Sequence, residues 1–225
     1  MTKTRMMISL VLVACGVGVA LRAGSSAAVA QSQQVIAVGA AAMPLAMGDE
    51  EYSYVGSAKC KKCHIKQHKS WAKTKMAKSF DILKPGNYKE QKQKFNLDPA
   101  KDYTSDEKCV KCHTVGYGKP GGYAIPKPGD KKAARKAKAL QGVGCECCHG
   151  PGSAYIKVFE EILKSKRKYK VEELYAAGLR KIEESTCTSC HNDESPSVNP
   201  GDPFDFEKRK DEGTHEHIPL KQREE

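Results

Sequence analysis

Cys145-Glu146-Cys147-Cys148-His149 holds two thiols three residues apart followed at once by an imidazole, and this pattern recurs three more times in the chain. The other units are Cys60-Lys61-Lys62-Cys63-His64, Cys109-Val110-Lys111-Cys112-His113 and Cys187-Thr188-Ser189-Cys190-His191. For a chain of this length and cysteine and histidine content, chance placement supplies only ~0.01 such unit, so four are not an accident. Thiols at i and i+3 lie on one helical turn and reach the two vinyl groups of a single haem, forming two thioethers. The residue that follows then sets an imidazole under the iron. The expected attachment sites are therefore Cys60, Cys63, Cys109, Cys112, Cys145, Cys148, Cys187 and Cys190, with His64, His113, His149 and His191 as proximal ligands. The cofactor is expected to be four haem c, covalently attached.

Other uses of paired cysteines fit less well. Disulfides have no need of a histidine after every pair. A tetrahedral zinc site does not readily take adjacent Cys and His from all four units, and a thioredoxin-like redox pair needs a βαβ context that is absent. Cys147, at an x position of the third unit, reads as a spare side chain in a Ser-sized slot.

Working outward from these units, the rest of the chain is poorly equipped to build a core. Its 225 residues carry 38 Lys+Arg against 27 Asp+Glu, a net charge of +11, with a pI near 9.1 and a mean hydropathy of −0.59. The apolar runs sit mainly in the first 47 residues, and the remainder is Lys-rich and short of Leu, Ile, Val and Phe. Such a composition borders on disorder, because too little apolar surface is available to offset chain entropy. A large side-chain core and a polytopic membrane protein are both excluded. Four macrocycles would supply the missing apolar mass, which couples haem attachment to folding. The expected fold is mainly α, with short helices and loops wrapped around four closely packed haems and little or no sheet.

The amino end reads as a targeting segment. Met1–Arg5 carries two positive charges, and an apolar run of 16 residues, Met6–Leu21, ends at Arg22. That is the pattern of a secretory signal, and Ala28-Val29-Ala30 places cleavage before Gln31. Leu12-Val13-Ala14-Cys15 resembles a lipobox, but the apolar run continues past Cys15. An uncleaved anchor is the other alternative, although the run is short for spanning a bilayer. The organisation expected is a signal at 1–30, a flexible lead-in at 31–55 and a tetrahaem domain at 56–225, exported and periplasmic. Removal of the signal leaves 35 basic and 27 acidic side chains, net +8. Four ferric haems with ionised propionates bring about −1 each and cut this to about +4. An exported basic protein is not thereby a nucleic-acid binder, and none is expected as a partner.

Within the domain, the sequence predicts a helix over Cys60–Leu83, anchored by Trp71 and Phe80 and stopped by Pro85-Gly86. Loops are expected at Gly116–Gly122 and Pro126–Gly129, with a solvated basic helix at Lys131–Leu140 between them and the third unit. Amphipathic helices follow at Tyr155–Leu163 and Val171–Glu184, the second leading into the last unit, and Ser195–Pro203 is irregular.

Several stretches resemble the cytochrome c-554 family, small tetrahaem periplasmic cytochromes of ammonia-oxidising bacteria. They are the first unit followed by Ser70-Trp71; Leu97-Asp98-Pro99-Ala100-Lys101-Asp102-Tyr103-Thr104; Gly116, Gly118 and Gly121-Gly122-Tyr123; Gly142-Val143-Gly144-Cys145-Glu146 running into Cys148-His149-Gly150-Pro151-Gly152; and His215-Glu216-His217 after the fourth unit. The resemblance covers roughly residues 56–217. It implies a helical, haem-packed fold with haems close enough to exchange electrons, three of them with two histidine ligands and one without a protein sixth ligand. Family members also resemble, in haem stacking, larger enzymes such as hydroxylamine oxidoreductase. Two departures concern the sixth ligands. Where the family has a histidine shortly after the tryptophan, this chain has Met76. No histidine lies between His149 and His191, where Tyr155 and Phe159 stand instead.

Beyond the four proximal histidines only His68, His215 and His217 remain. One of His215 and His217 is the first distal candidate, Met76 the next as a thioether that would raise its haem's potential, and His68 the last. His68 follows His64 by four residues, on the same helical face, so it does not reach round to the distal side of that haem.

The expected function is electron relay between redox partners through four haems. An open-haem enzyme acting on a small nitrogen oxide, hydroxylamine or peroxide is the alternative, since distal ligands are short. A place in the nitrogen cycle follows from the resemblance alone. Lys59, Lys61 and Lys62 cluster at the first unit and suit a redox partner with an acidic docking surface.

Overall fold

The computed structural model describes residues 52–198 and 203–224, so the expected signal, Cys15 and most of the lead-in lie outside the described residues. The described part belongs to one unit, Met47–Glu225. It is built of short elements: α1 (Ser57–Cys60), α2 (Ile65–Trp71), a 3-10 turn (Ser79–Leu83), α3 (Lys89–Lys94), α4 (Glu107–His113), α5 (Lys131–Lys138), α6 (Cys145–His149), α7 (Tyr155–Ser165), α8 (Val171–Ala176), α9 (Glu184–Thr188) and α10 (Phe206–Arg209). Among the described residues there is no strand; two isolated bridges, Thr114 with Gln141 and Tyr169 with Arg223, are the extent of β pairing. The mainly α, sheet-poor architecture is as expected from the sequence.

Two helical expectations are corrected. Cys60–Leu83 is not one helix but α1, α2 and the 3-10 turn, interrupted at Lys61–His64 and again after Trp71. Val171–Glu184 is also divided: α8 ends at Ala176, Gly178 follows with φ +92°, and α9 starts afresh at Glu184. In both cases the break lets a haem motif open its own turn. The expected flexible lead-in is likewise pinned at its described end. Tyr54 N–H donates to Pro120 O (2.9 Å), and Ser53 exchanges bonds with Ser153 through Ser153 Oγ (2.9 Å) and Ser153 N (3.2 Å).

The side-chain core is small and divided. One cluster gathers Phe80, Leu83, Tyr103, Val110, Val115, Tyr123, Ala137 and Leu140. The other gathers Tyr155, Ile162, Tyr169, Leu174 and Ala177, where α7 meets α8. Neither holds the handful of large aliphatic side chains that a domain of this length ordinarily buries, consistent with cofactor surface completing the interior. Trp71 lies outside both clusters, half-buried, with its Nε1–H donating to Val143 O (2.9 Å). This bond ties α2 to the approach to the third unit.

Candidate functional site

Each Cys-x-x-Cys-His unit occupies a single helical turn, as double attachment requires. In the first, His64 N–H donates to Cys60 O (2.9 Å); in the fourth, His191 N–H donates to Cys187 O (2.9 Å). The second and third units are wholly helical in α4 and α6. No disulfide joins the nine described cysteines. Among the described residues no three of His, Cys, Asp and Glu converge to hold a metal ion unaided.

Tertiary packing brings the units together in an order the chain does not follow. The Cys60 and Cys145 sulfur atoms share a hydrogen bond, which raises the Cys60 thiol and lowers Cys145. Cys112 and Cys190 are related in the same way, Cys112 raised and Cys190 lowered. Burial pushes the Cys148 thiol up to about 11, with a smaller contribution from Cys187 alongside, and α6 packs on α9. Lys111 of α4 pairs with Glu194, just beyond the fourth unit. The spatial sequence is thus first, third, fourth, second.

The imidazoles fit an iron. His113 Nδ1 lies 2.7 Å from Ser79 O; as a donor to that carbonyl it leaves Nε2 for metal, the usual second-shell arrangement of a ligand histidine. Burial holds His64, His113 and His191 below the ordinary imidazole value, and it holds His149 down at about 4, with His215, His64 and His217 adding to the effect. The neutral form is the one that binds metal.

The distal candidates are treated differently by the fold. The ring centroids of His149 and His215 are 6.2 Å apart, their planes 26° apart. Two metal–imidazole bonds of about 2 Å plus two ring radii of about 1.1 Å would give nearly this separation, so these two rings would be the pair to hold one iron. His215 Nδ1 also lies 2.9 Å from Glu216 O, which frees Nε2. His217 is exposed and meets His215 edge-on at 5.3 Å. His68 is half-buried and packs on the edge of Trp71 at 5.1 Å. Met76 is half-buried and stands outside both apolar clusters, its backbone carbonyl accepting from Val143 N–H (3.0 Å). His64 and His191 have phenylalanine neighbours instead: Phe159 at 5.4 Å and Phe204 at 4.6 Å. Tyr155 donates its hydroxyl to Gly150 O (3.2 Å), and burial pushes its phenol upward, which disfavours a tyrosinate.

Of the two x residues of the third unit, Cys147 was expected as a spare side chain, and Glu146 escapes sequence reading. Cys147 is packed against the first cluster with Sγ 3.7 Å from Thr114 O, and burial pushes its thiol up to about 12, so it is an inert filler. Glu146, fully buried within the third unit, accepts four backbone contacts from three amides. They are Val55 N (3.0 and 3.2 Å), Gly56 N (2.7 Å) and Gly152 N (2.8 Å). Its carboxylate welds the lead-in and the Gly150-Pro151-Gly152 loop to the third unit. The one local hint is an acid inside a motif otherwise made of sulfur and imidazole, four residues before a glycine-rich turn that exposes N–H groups.

Four one-turn haem attachments on a scaffold of short helices define a multihaem c-type cytochrome. The family described as cytochrome c554 and c-prime matches residues 59–150. Cytochrome c-554 of Nitrosomonas europaea is 43% identical over 144 residues, 61% of this chain and 57% of that protein, so the match spans somewhat over half of the relative's length. The solved structure of the reduced state of cytochrome c554 from Nitrosomonas europaea has a TM-score of 0.64 at 35% identity, covering 78% of this chain and 91% of that one. The chain belongs to the cytochrome c554 family and carries covalently attached haem c, four by its motif count.

Proposed function

We propose that this chain is a periplasmic electron relay that passes electrons between redox partners through four haems. The observation that carries this reading is the contiguity of the units, with Cys60 on Cys145, Cys148 beside Cys187, and Cys190 on Cys112. Bound haem supplies one-electron chemistry at its iron. The protein holds each site by two thioethers and an imidazole, sets the tautomer of His113 through Ser79 O, and keeps the units close enough for stepwise transfer. The charged leader and apolar run before Arg22 support export, and among the described residues no helix is long and apolar enough to cross a membrane. Exposed Lys59, Lys61 and Lys62 support docking of an acidic partner at the first unit.

A second reading, catalysis on a small nitrogen oxide, hydroxylamine or peroxide at an open iron, is favoured by one observation. Seven histidines cannot fill eight axial positions, and the His64 and His191 rings have phenylalanines beside them. The optical spectrum of the dithionite-reduced holoprotein, before and after carbon monoxide, separates the two. No Soret change leaves the relay alone, whereas a change over about a quarter of the absorbance marks one open haem among four. An electron photo-injected into one haem and found to stay there overturns the relay.

A further inference from the structure

α5 concentrates positive charge to a degree that its own stability does not favour. Lys127, Lys131, Lys132, Arg135, Lys136 and Lys138 are all exposed, and Asp130 is the sole acid in this stretch, its carboxylate occupied in capping Ala133 N–H (2.9 Å). None of the six forms an ion pair with another described residue. Lys131 with Arg135 and Lys132 with Lys136 are like charges four residues apart, which weakens a helix. Helix α5 forms nevertheless, because Ala137 and Leu140 are buried in the first apolar cluster against the segment carrying the second unit.

That anchoring places the charge with respect to one haem. Leu140 O accepts from Val115 N–H (2.9 Å), His113 O accepts from Gly142 N–H (2.9 Å), and Thr114 bridges Gln141. The segment just after α5 is therefore bonded to the second proximal histidine and to the two residues that follow it. In the spatial order of the units the second is terminal, at the far end from the first unit and its lysines. Lys132, Arg135, Lys136 and Ala139 also line a shallow surface concavity of about 530 Å³.

We propose that the exposed face of α5 is a docking surface for an acidic, carboxylate-rich redox protein, which exchanges electrons at the second haem unit. It rests on the relay reading and adds to it a second cationic port opposite the first. Charge complementarity selects the partner class, since redox contacts are small, brief and steered by charge. A lipid surface is the poorer match: the uncharged residues that α5 exposes are alanines, with no Trp, Phe or Leu to enter an interface.

The test uses the holoprotein with a reduced acidic [2Fe–2S] ferredoxin as probe. The triple variant K132E/R135E/K136E is compared with K166E/K170E/K221E, which makes the same change of net charge on exposed lysines elsewhere. At low ionic strength the α5 variant should lose about tenfold in bimolecular rate constant and most of its salt dependence, and the control far less. Carbodiimide cross-linking to the oxidised ferredoxin should map to α5 lysines in the wild type. Both variants should react at the wild-type rate with neutral lumiflavin semiquinone, which shows intact haems. Equal losses in the two variants, or cross-links spread over all exposed lysines, overturn the proposal. So does α5-dependent binding to phosphatidylglycerol vesicles with an unchanged ferredoxin rate. Fast, α5-dependent reduction that leaves the electron on one haem supports the docking surface and overturns the relay.

Discussion

Replacing Glu146 by glutamine tests whether a single buried carboxylate holds the third haem unit to the rest of the protein. The side chain keeps its shape, but one of its two acceptor oxygens becomes an NH₂ group. In one orientation that group faces Gly56 N–H, now 2.7 Å from Oε2; in the other it faces Gly152 N–H, now 2.8 Å from Oε1. Either way a short charge-assisted bond becomes a contact between two donors, and the remaining bonds lose their ionic partner. A hydrogen bond to a charged group contributes about 1.5–3 kcal/mol, and an orphaned buried donor costs about 1–3 kcal/mol. Glu146→Gln should therefore cost about 3 kcal/mol, and Glu146→Ala, which orphans three amides and opens a cavity, about 5 kcal/mol. In a domain of this size that is a fall in Tm of about 6–12 °C for the glutamine variant. Haem c is covalent and stays with the unfolded chain, so far-UV circular dichroism of the holoprotein in a thermal ramp, checked by urea titration, reads the change directly. A glutamine variant melting within about 2 °C of the wild type would refute the reasoning, because the carboxylate would then be filling space and not gathering three amides.

Other expectations follow from the same geometry. His215→Ala should make about a further quarter of the reduced haem absorbance reactive to carbon monoxide, while His217→Ala leaves the spectrum unchanged; identical spectra for both would remove His215 from the third haem. Cys147→Ser should retain four haems by mass spectrometry and lose only about 1 kcal/mol, since the thiol fills space and makes one weak contact; loss of a haem would give Cys147 a role in attachment. Gly142→Ala should lower the yield of holoprotein sharply, because the residue has φ +82° and its Cβ would stand 2.4 Å from Ala77 O. A normally folded Gly142→Ala protein would show that the contact between the Met76 segment and the third unit is dispensable.

The attachment chemistry, the poor side-chain core and the mainly α class with little or no sheet were legible because each depends on short-range information. A Cys-x-x-Cys-His unit is read within five residues, and a shortage of apolar side chains is read from composition. Helix extents were less legible. Cys60–Leu83 and Val171–Glu184 both have helical patterns, yet a haem turn or Gly178 interrupts them, and periodicity does not register a cofactor. Glu146 was missed for a different reason: its donors Val55 and Gly56 lie about ninety residues away in sequence. Without them an acid inside the motif looks like any exposed x residue.

From the sequence alone came the number of haems, the residues that bind them covalently and the four proximal imidazoles, all set by bonds and turns spanning a few residues. Only the tertiary structure decided which units touch, that the ring of His215 stands beside that of His149, and that the charges of α5 stand beside the second unit. Those relations depend on contacts between distant segments, and no local pattern of residues specifies where a chain folds back on itself.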